Sequence, residues 1–133
     1  MVLKYDGDWL LRGTDMATVL VCDDAAFIRM SLMKIIKEAG HEPIGEAANG
    51  IEAFRQYVDL HPDVVLMDIT MPEKDGLAAT KEITTFDPQA TVIMVSAMGQ
   101  QAKVFEAIAS GAKDFIVKPF DPDKIIECIA KYT

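Results

Sequence analysis

From residue 18 onward the chain alternates between two hydrophobic periods, and no other property narrows its fold as much. Short apolar, β-branched runs stand at Thr18-Val19-Leu20-Val21-Cys22, Val64-Val65-Leu66-Met67, Val92-Ile93-Met94-Val95 and Phe115-Ile116-Val117, with a weaker one at Pro43-Ile44-Gly45-Glu46-Ala47. Nearly continuous apolar runs of this length suit strands buried on both faces of a parallel sheet. Between them the apolar residues take helical spacing. One stripe is Ile28, Leu32, Ile35, Ile36 and Ala39, stopped by Gly40. The next are Ile51, Phe54 and Val58, then Leu77, Ile83 and Phe86 ahead of Asp87-Pro88, then Val104 and Ile108 ahead of Gly111. In the last, Ile125, Ile126 and Ile129 follow Asp121, a good N-cap, and Pro122, which fits the first helical position. The pattern predicts an α/β domain of (βα)5 type, with five parallel strands doubly wound by five helices into a three-layer sandwich. Strand order does not follow from period alone.

A chain of 133 residues is one domain, long enough to bury about two-thirds of its extended surface and fold without staples. Residues 1–15 differ from the rest. Lys4-Tyr5-Asp6-Gly7-Asp8 and Arg12-Gly13-Thr14-Asp15 are turn-rich and lack either period. They read as a leader, natural or left by cloning, with an extra edge strand or helix as the alternative; the domain proper is 16–133. Thirteen basic against 21 acidic residues give a net charge of -8, which opposes a general nucleic-acid binder but not a divalent cation. Cys22 and Cys128 form no C-x-x-C pair and read as free thiols of a reducing cytosol. No apolar run approaches the roughly 20 residues of a membrane span, and Trp9-Leu10-Leu11 is too short for a signal-peptide core. A cytoplasmic protein is expected.

In an open α/β sheet, ligands sit outside the carboxyl ends of the strands. The first run is followed by Asp23 and Asp24, the third by Asp68, the fourth by Ser96, and the fifth by Lys118 and then Pro119. Aspartate at a strand end is often a cap or turn former, but capping asks for neither a lysine nor a serine at the other exits. Three carboxylates crowded together repel, and one would hold a proton unless relieved. A hard divalent ion with oxygen ligands relieves them, and Mg²⁺ is the natural choice. No G-x-x-x-x-G-K-[ST] or G-x-G-x-x-G loop is present, so nucleotide binding lacks support. His41 and His61 follow no strand and read as solvated loop residues, which removes a histidine nucleophile. A carboxylate can itself attack phosphorus and hold the phosphoryl group as a mixed anhydride. Lys118 would then add a point-charge contact and Ser96 a hydrogen bond.

These residues resemble the receiver domain of two-component response regulators. Val21-Cys22-Asp23-Asp24 looks like that family's acidic-pair strand, and Met67-Asp68-Ile69-Thr70-Met71-Pro72 with Asp75-Gly76 looks like its phosphoacceptor strand and loop. Ser96-Ala97 matches the switch hydroxyl and its small neighbour, and Lys118-Pro119-Phe120 the lysine motif. The resemblance runs from about residue 17 to 133 and is finest to single-domain chemotaxis members, through Asp24-Ala25-Ala26-Phe27-Ile28-Arg29-Met30, Ser96-Ala97-Met98-Gly99-Gln100-Gln101 and Gly111-Ala112-Lys113-Asp114-Phe115. It implies a flavodoxin-like receiver architecture and phosphorylation on Asp68. It also implies Mg²⁺ bound by Asp24, Asp68 and the backbone carbonyl of Thr70, with Asp23 acting through water. Ser96 and Lys118 would contact the phosphoryl group. Phe115 takes the place of a rotating aromatic that is often tyrosine, so no phenolic hydroxyl is offered to a partner. Met98, two residues past Ser96, stands where side-chain bulk restricts attacking water.

The resemblance further implies a histidine kinase as phosphodonor and a flagellar switch component or other output protein as partner, with a phosphatase as an additional partner of a monomeric domain. The chain ends just after the fifth helical stripe, so the output is expected to be a protein contact, and a receiver cut from a longer regulator stays open. The output face is expected on Gln100 to Ser110 and Lys113 to Lys131, with the first helix near Phe27 and Met30 as the alternative. A Mg²⁺-dependent small-molecule phosphatase with an aspartyl intermediate is the competing class. Such enzymes usually carry an acid/base aspartate two residues past the nucleophile, where this chain has Thr70. A flavin carrier fits poorly, because Asp23-Asp24 would repel the flavin phosphate. The domain is read as a phosphoacceptor switch, not an enzyme, with at most self-phosphorylation and slow self-dephosphorylation.

Overall fold

A computed structural model describes residues 16–133 except Met98 and the side chain of Gln101. The leader reading of residues 1–15 and the role read for Met98 lie outside the described residues. The elements run β1 (Thr18–Cys22), α1 (Ala26–Glu38), β2 (Glu42–Ala47), α2 (Gly50–Leu60), β3 (Val64–Asp68), α3 (Gly76–Phe86), β4 (Val92–Ala97), α4 (Gln101–Ala109), β5 (Asp114–Lys118) and α5 (Pro122–Lys131). All strand pairs are parallel, in the order β2-β1-β3-β4-β5. The (βα)5 expectation holds.

The two-residue period of a strand divides the core. Val19, Val21, Leu66, Ile93, Val95 and Ile116 point to one face and pack with Leu32, Ile36, Ile125 and Ile129 from α1 and α5. Leu20, Cys22, Val65, Met67, Val92 and Met94 point to the other and meet Ala53, Tyr57, Ala79, Ile83, Val104 and Ala107 from α2, α3 and α4. The chain winds one way from β1 to β2 and the other way from β3 to β5. The crevice where that direction reverses lies between the carboxyl ends of β1 and β3. Helix ends follow their sequence signals. Asp121 accepts the Asp123 N–H at 2.9 Å with Pro122 at the first position, Asp75 accepts the Ala78 N–H at 2.8 Å, and Gly40 ends α1 at φ +89°.

Three expectations are corrected. The inward side of α2 is Gly50, Ala53 and Tyr57, while Ile51 is 40 % exposed and Phe54 and Val58 are half-buried. Small residues let this helix sit close to the sheet, and Phe54 turns sideways onto Phe86 of α3, edge to face at 6.0 Å. β5 is an edge strand: Ile116 is buried, but Phe115 and Val117 are 44 % and 39 % exposed, so its apolar run is not covered on both faces. His41 is buried, because its Nδ1 accepts the Ala17 N–H at 3.0 Å where the chain enters β1. His61 is exposed, at the C-cap of α2 with φ 47°.

Candidate phosphoryl-transfer site

The β1 exit is built first. The Asp23 N–H extends the ladder to Ala47 C=O at 3.0 Å, and Asp23 Oδ1 then accepts the Ala25 N–H at 2.9 Å, turning the chain into α1. Arg29, one turn into that helix, donates through Nη1 to Asp23 C=O at 2.7 Å and through Nε to Glu46 at 2.6 Å. Asp23 is thereby fixed and buried, whereas Asp24, with no such role, faces solvent. Asp68 ends β3 and is also buried. Lys118 ends β5 and spans the gap to donate to Asp23 Oδ2 at 2.8 Å, with Asp68 Oδ1 at 3.4 Å. Ligand atoms of Asp23, Asp24 and Asp68 all lie within 4.8 Å of one another.

Asp68 pairs in register with Val95, so the following residue, Ser96, ends up buried beside the site on the neighbouring strand. Thr70 is exposed on the loop after Asp68. Phe115 does not join the carboxylates. It stands on the outer strand opposite Met94, partly in solvent. Sequence reasoning gave no role to Gly76. Its N–H donates to Ile69 C=O at 2.7 Å, and a Cβ on it would come within 1.9 Å of the Asp68 carbonyl oxygen. The start of α3 thus seats directly on the nucleophile candidate's backbone, a contact for which Asp75-Gly76 is the only sequence trace.

Burial, and then the Asp23 charge, push the Asp68 carboxyl up to about 6, against the pull of Lys118. Burial works against the Lys118 ammonium, but its bond to Asp23 and the charges of Asp23 and Asp68 more than offset this and raise its pKa. The two buried carboxylates and the exposed one thus carry more negative charge than one ammonium balances. Such a donor set is all oxygen, hard and anionic, and has room on the Asp24 side for waters. It fits a divalent ion of the Mg²⁺ type and contains no soft ligand for a transition metal.

An acidic crevice at the switch point of a five-stranded parallel sheet, closed by a lysine from the last strand, defines a receiver. The response regulator receiver domain pattern matches residues 19–130, and the chain belongs to that family. Within it the chain is CheY-like. Chemotaxis protein CheY of Thermotoga maritima is 59 % identical over 113 residues, 85 % of this chain and 94 % of that protein. CheY of Bacillus subtilis is 54 % identical with the same coverage. A chain of the CheX–CheY–BeF₃–Mg²⁺ complex from Borrelia burgdorferi superposes with a TM-score of 0.83 at 38 % identity, over 86 % of this chain and 87 % of that one. Among the described residues, no helix is long and apolar enough to cross a membrane.

Proposed function

We propose that the chain is a phosphorylation-dependent switch of chemotaxis signalling, working in the cytoplasm as a monomer. A histidine kinase donates the phosphoryl group to Asp68, and the phosphorylated domain binds a flagellar switch component or another output protein until a phosphatase or its own slow hydrolysis resets it. The observation that carries this is the buried Asp68 carboxylate, crowded by Asp23 and Asp24 and faced by Lys118. One Asp68 oxygen attacks phosphorus, a P–O bond forms, and the P–N bond to the donor breaks; with the donor ring protonated on its other nitrogen, the electron pair of that bond stays on the ring and imidazole leaves neutral. Asp24, Asp68 and the Thr70 carbonyl would hold Mg²⁺, with Asp23 beside them. When bound, the ion supplies positive charge against the carboxylates and the phosphoryl oxygens. Lys118 steadies those oxygens from the β5 side, and Ser96 donates its hydroxyl to one of them. Phe115 follows Ser96 inward. The groove between β5 and α5, lined by Phe115, Val117, Lys124 and Cys128, supports an output surface there.

Acetyl phosphate with Mg²⁺ is expected to raise the intact mass by one phosphoryl group, which then decays slowly; rapid multiple turnover of the small phosphate would mark a phosphatase instead. Asp24→Ala is expected to abolish the Mg²⁺-dependent amide shifts around Asp68, and an unchanged Mg²⁺ titration in that variant would reassign the metal site.

A further inference from the structure

Four residues past Ser96, the side chain of Gln100 crosses the mouth of the site. Its Oε1 accepts the Ala97 N–H at 2.8 Å and its Nε2 donates to Thr70 Oγ1 at 3.1 Å. The Gln100 backbone N–H in turn donates to Ala97 C=O at 3.3 Å. Gln100 is therefore joined to Ala97 by both side chain and backbone and is tied across to the loop that follows Asp68. Ala97 is bonded directly to Ser96, so a Ser96 drawn toward a group on Asp68 must shift the Ala97 peptide against a Gln100 side chain that is anchored to Thr70. Phe115, on the strand beside Ser96, is 44 % exposed.

We propose that Gln100 is a positioning residue, a clasp between the β4–α4 turn and Thr70 that holds Ser96 and Phe115 in their resting places. Phosphorylation works against its two side-chain hydrogen bonds. The inference rests on the reading of Asp68 as phosphoacceptor. A primary amide suits the task, since it accepts from one loop and donates to the other while adding no charge beside the carboxylates. Both bonds are exposed to solvent, so the bias is modest and amounts to a few-fold change in population.

The test is Gln100→Leu, which removes both bonds at similar side-chain size, read by amide NMR with and without beryllium fluoride and Mg²⁺. In the wild type, beryllium fluoride is expected to shift the Ser96, Ala97 and Phe115 amides. In Gln100→Leu without it, the same amides should already lie part-way along that shift, and half-saturation should need about threefold less beryllium fluoride. A purely structural role would lower the melting temperature without moving peaks along that line. Thr70→Val removes only one of the bonds and should move the peaks less far in the same direction, adding nothing when combined with Gln100→Leu. Wild-type shifts and half-saturation in Gln100→Leu, or displacement the opposite way, overturn the clasp. A wild-type protein that ignores beryllium fluoride altogether overturns the phosphoacceptor reading, and the clasp falls with it.

Discussion

Asp68→Asn is expected to gain no mass from acetyl phosphate and Mg²⁺ under conditions where the wild type gains one phosphoryl group. The substitution keeps the shape of the side chain and removes the anionic oxygen that forms the new bond. If the variant gains a phosphoryl group at the wild-type rate, the nucleophile lies elsewhere. The same change carries a second effect in the metal-free protein. Asp68 is raised from 3.8 to about 6, by burial first and by Asp23 next. The folded state therefore binds this proton more tightly than the unfolded one, and folding stability falls as pH rises from about 4 to about 6. Asparagine escapes that penalty. At pH 7.5 the metal-free variant should exceed the wild type by about 1 kcal/mol, solvent at the mouth screening part of the repulsion. The difference should shrink toward pH 4 and also on adding Mg²⁺ to the wild type. Urea midpoints at pH 4.5 and 7.5, with and without the ion, check each arm.

Gly76→Ala is expected to damage both stability and phosphoryl uptake. The added Cβ would lie 1.9 Å from the Asp68 carbonyl oxygen and 2.9 Å from its carbonyl carbon, and both are backbone atoms that cannot swing aside. The 2.7 Å bond from Gly76 N–H to Ile69 C=O prevents α3 from simply lifting away. Overpacking of this kind costs about 3 kcal/mol, roughly 10 °C in melting temperature for a domain of this size. The accommodating shift displaces Asp68 itself, so the surviving folded protein should phosphorylate more slowly. Gly40→Ala is the contrast. Its position at φ +89° has nothing within 4 Å, so it should lose about 1 kcal/mol through backbone strain alone and keep the wild-type rate of uptake. Equal stability in Gly76→Ala and wild type would mean that α3 starts elsewhere in solution.

The strand exits were legible because the chemistry is abrupt there. Four of the five apolar runs end on a polar residue that the strand itself does not need, and Asp23, Asp24, Asp68, Ser96 and Lys118 all follow from that contrast. Caps such as Asp121-Pro122 are local and were equally plain. What period could not supply was the neighbour of each strand. Phe115-Ile116-Val117 has the composition of a buried strand, and only the sheet order puts it at an edge with one side open. In α2 the periodicity selected the bulky Ile51, Phe54 and Val58, whereas close approach to the sheet selected Gly50 and Ala53. Gly76 was quoted within a motif without a role, since it acts by a side chain it lacks, and Gln100 was read only as the edge of the output face, since its bonds to Ala97 and Thr70 leave no mark in the sequence. His41 looked like a loop residue because its partner is a backbone N–H that lies 24 positions away.

The ion pair between Asp23 and Lys118 joins positions 95 residues apart, so the charge balance of the crevice depends on the last strand to be synthesised. A ribosome adding about 5–20 residues per second releases both carboxylate-bearing strands several seconds before the lysine. A chain shorter than 118 residues carries β1 and β3, with Asp23, Asp24 and Asp68, but not the ammonium that Lys118 supplies. Because β5 docks only onto β4, the ammonium arrives when the sheet is complete. On the reading of Asp68 as phosphoacceptor, a chain that stops short of residue 118 is expected to hold the carboxylates without the ammonium that faces them and to take up a phosphoryl group poorly.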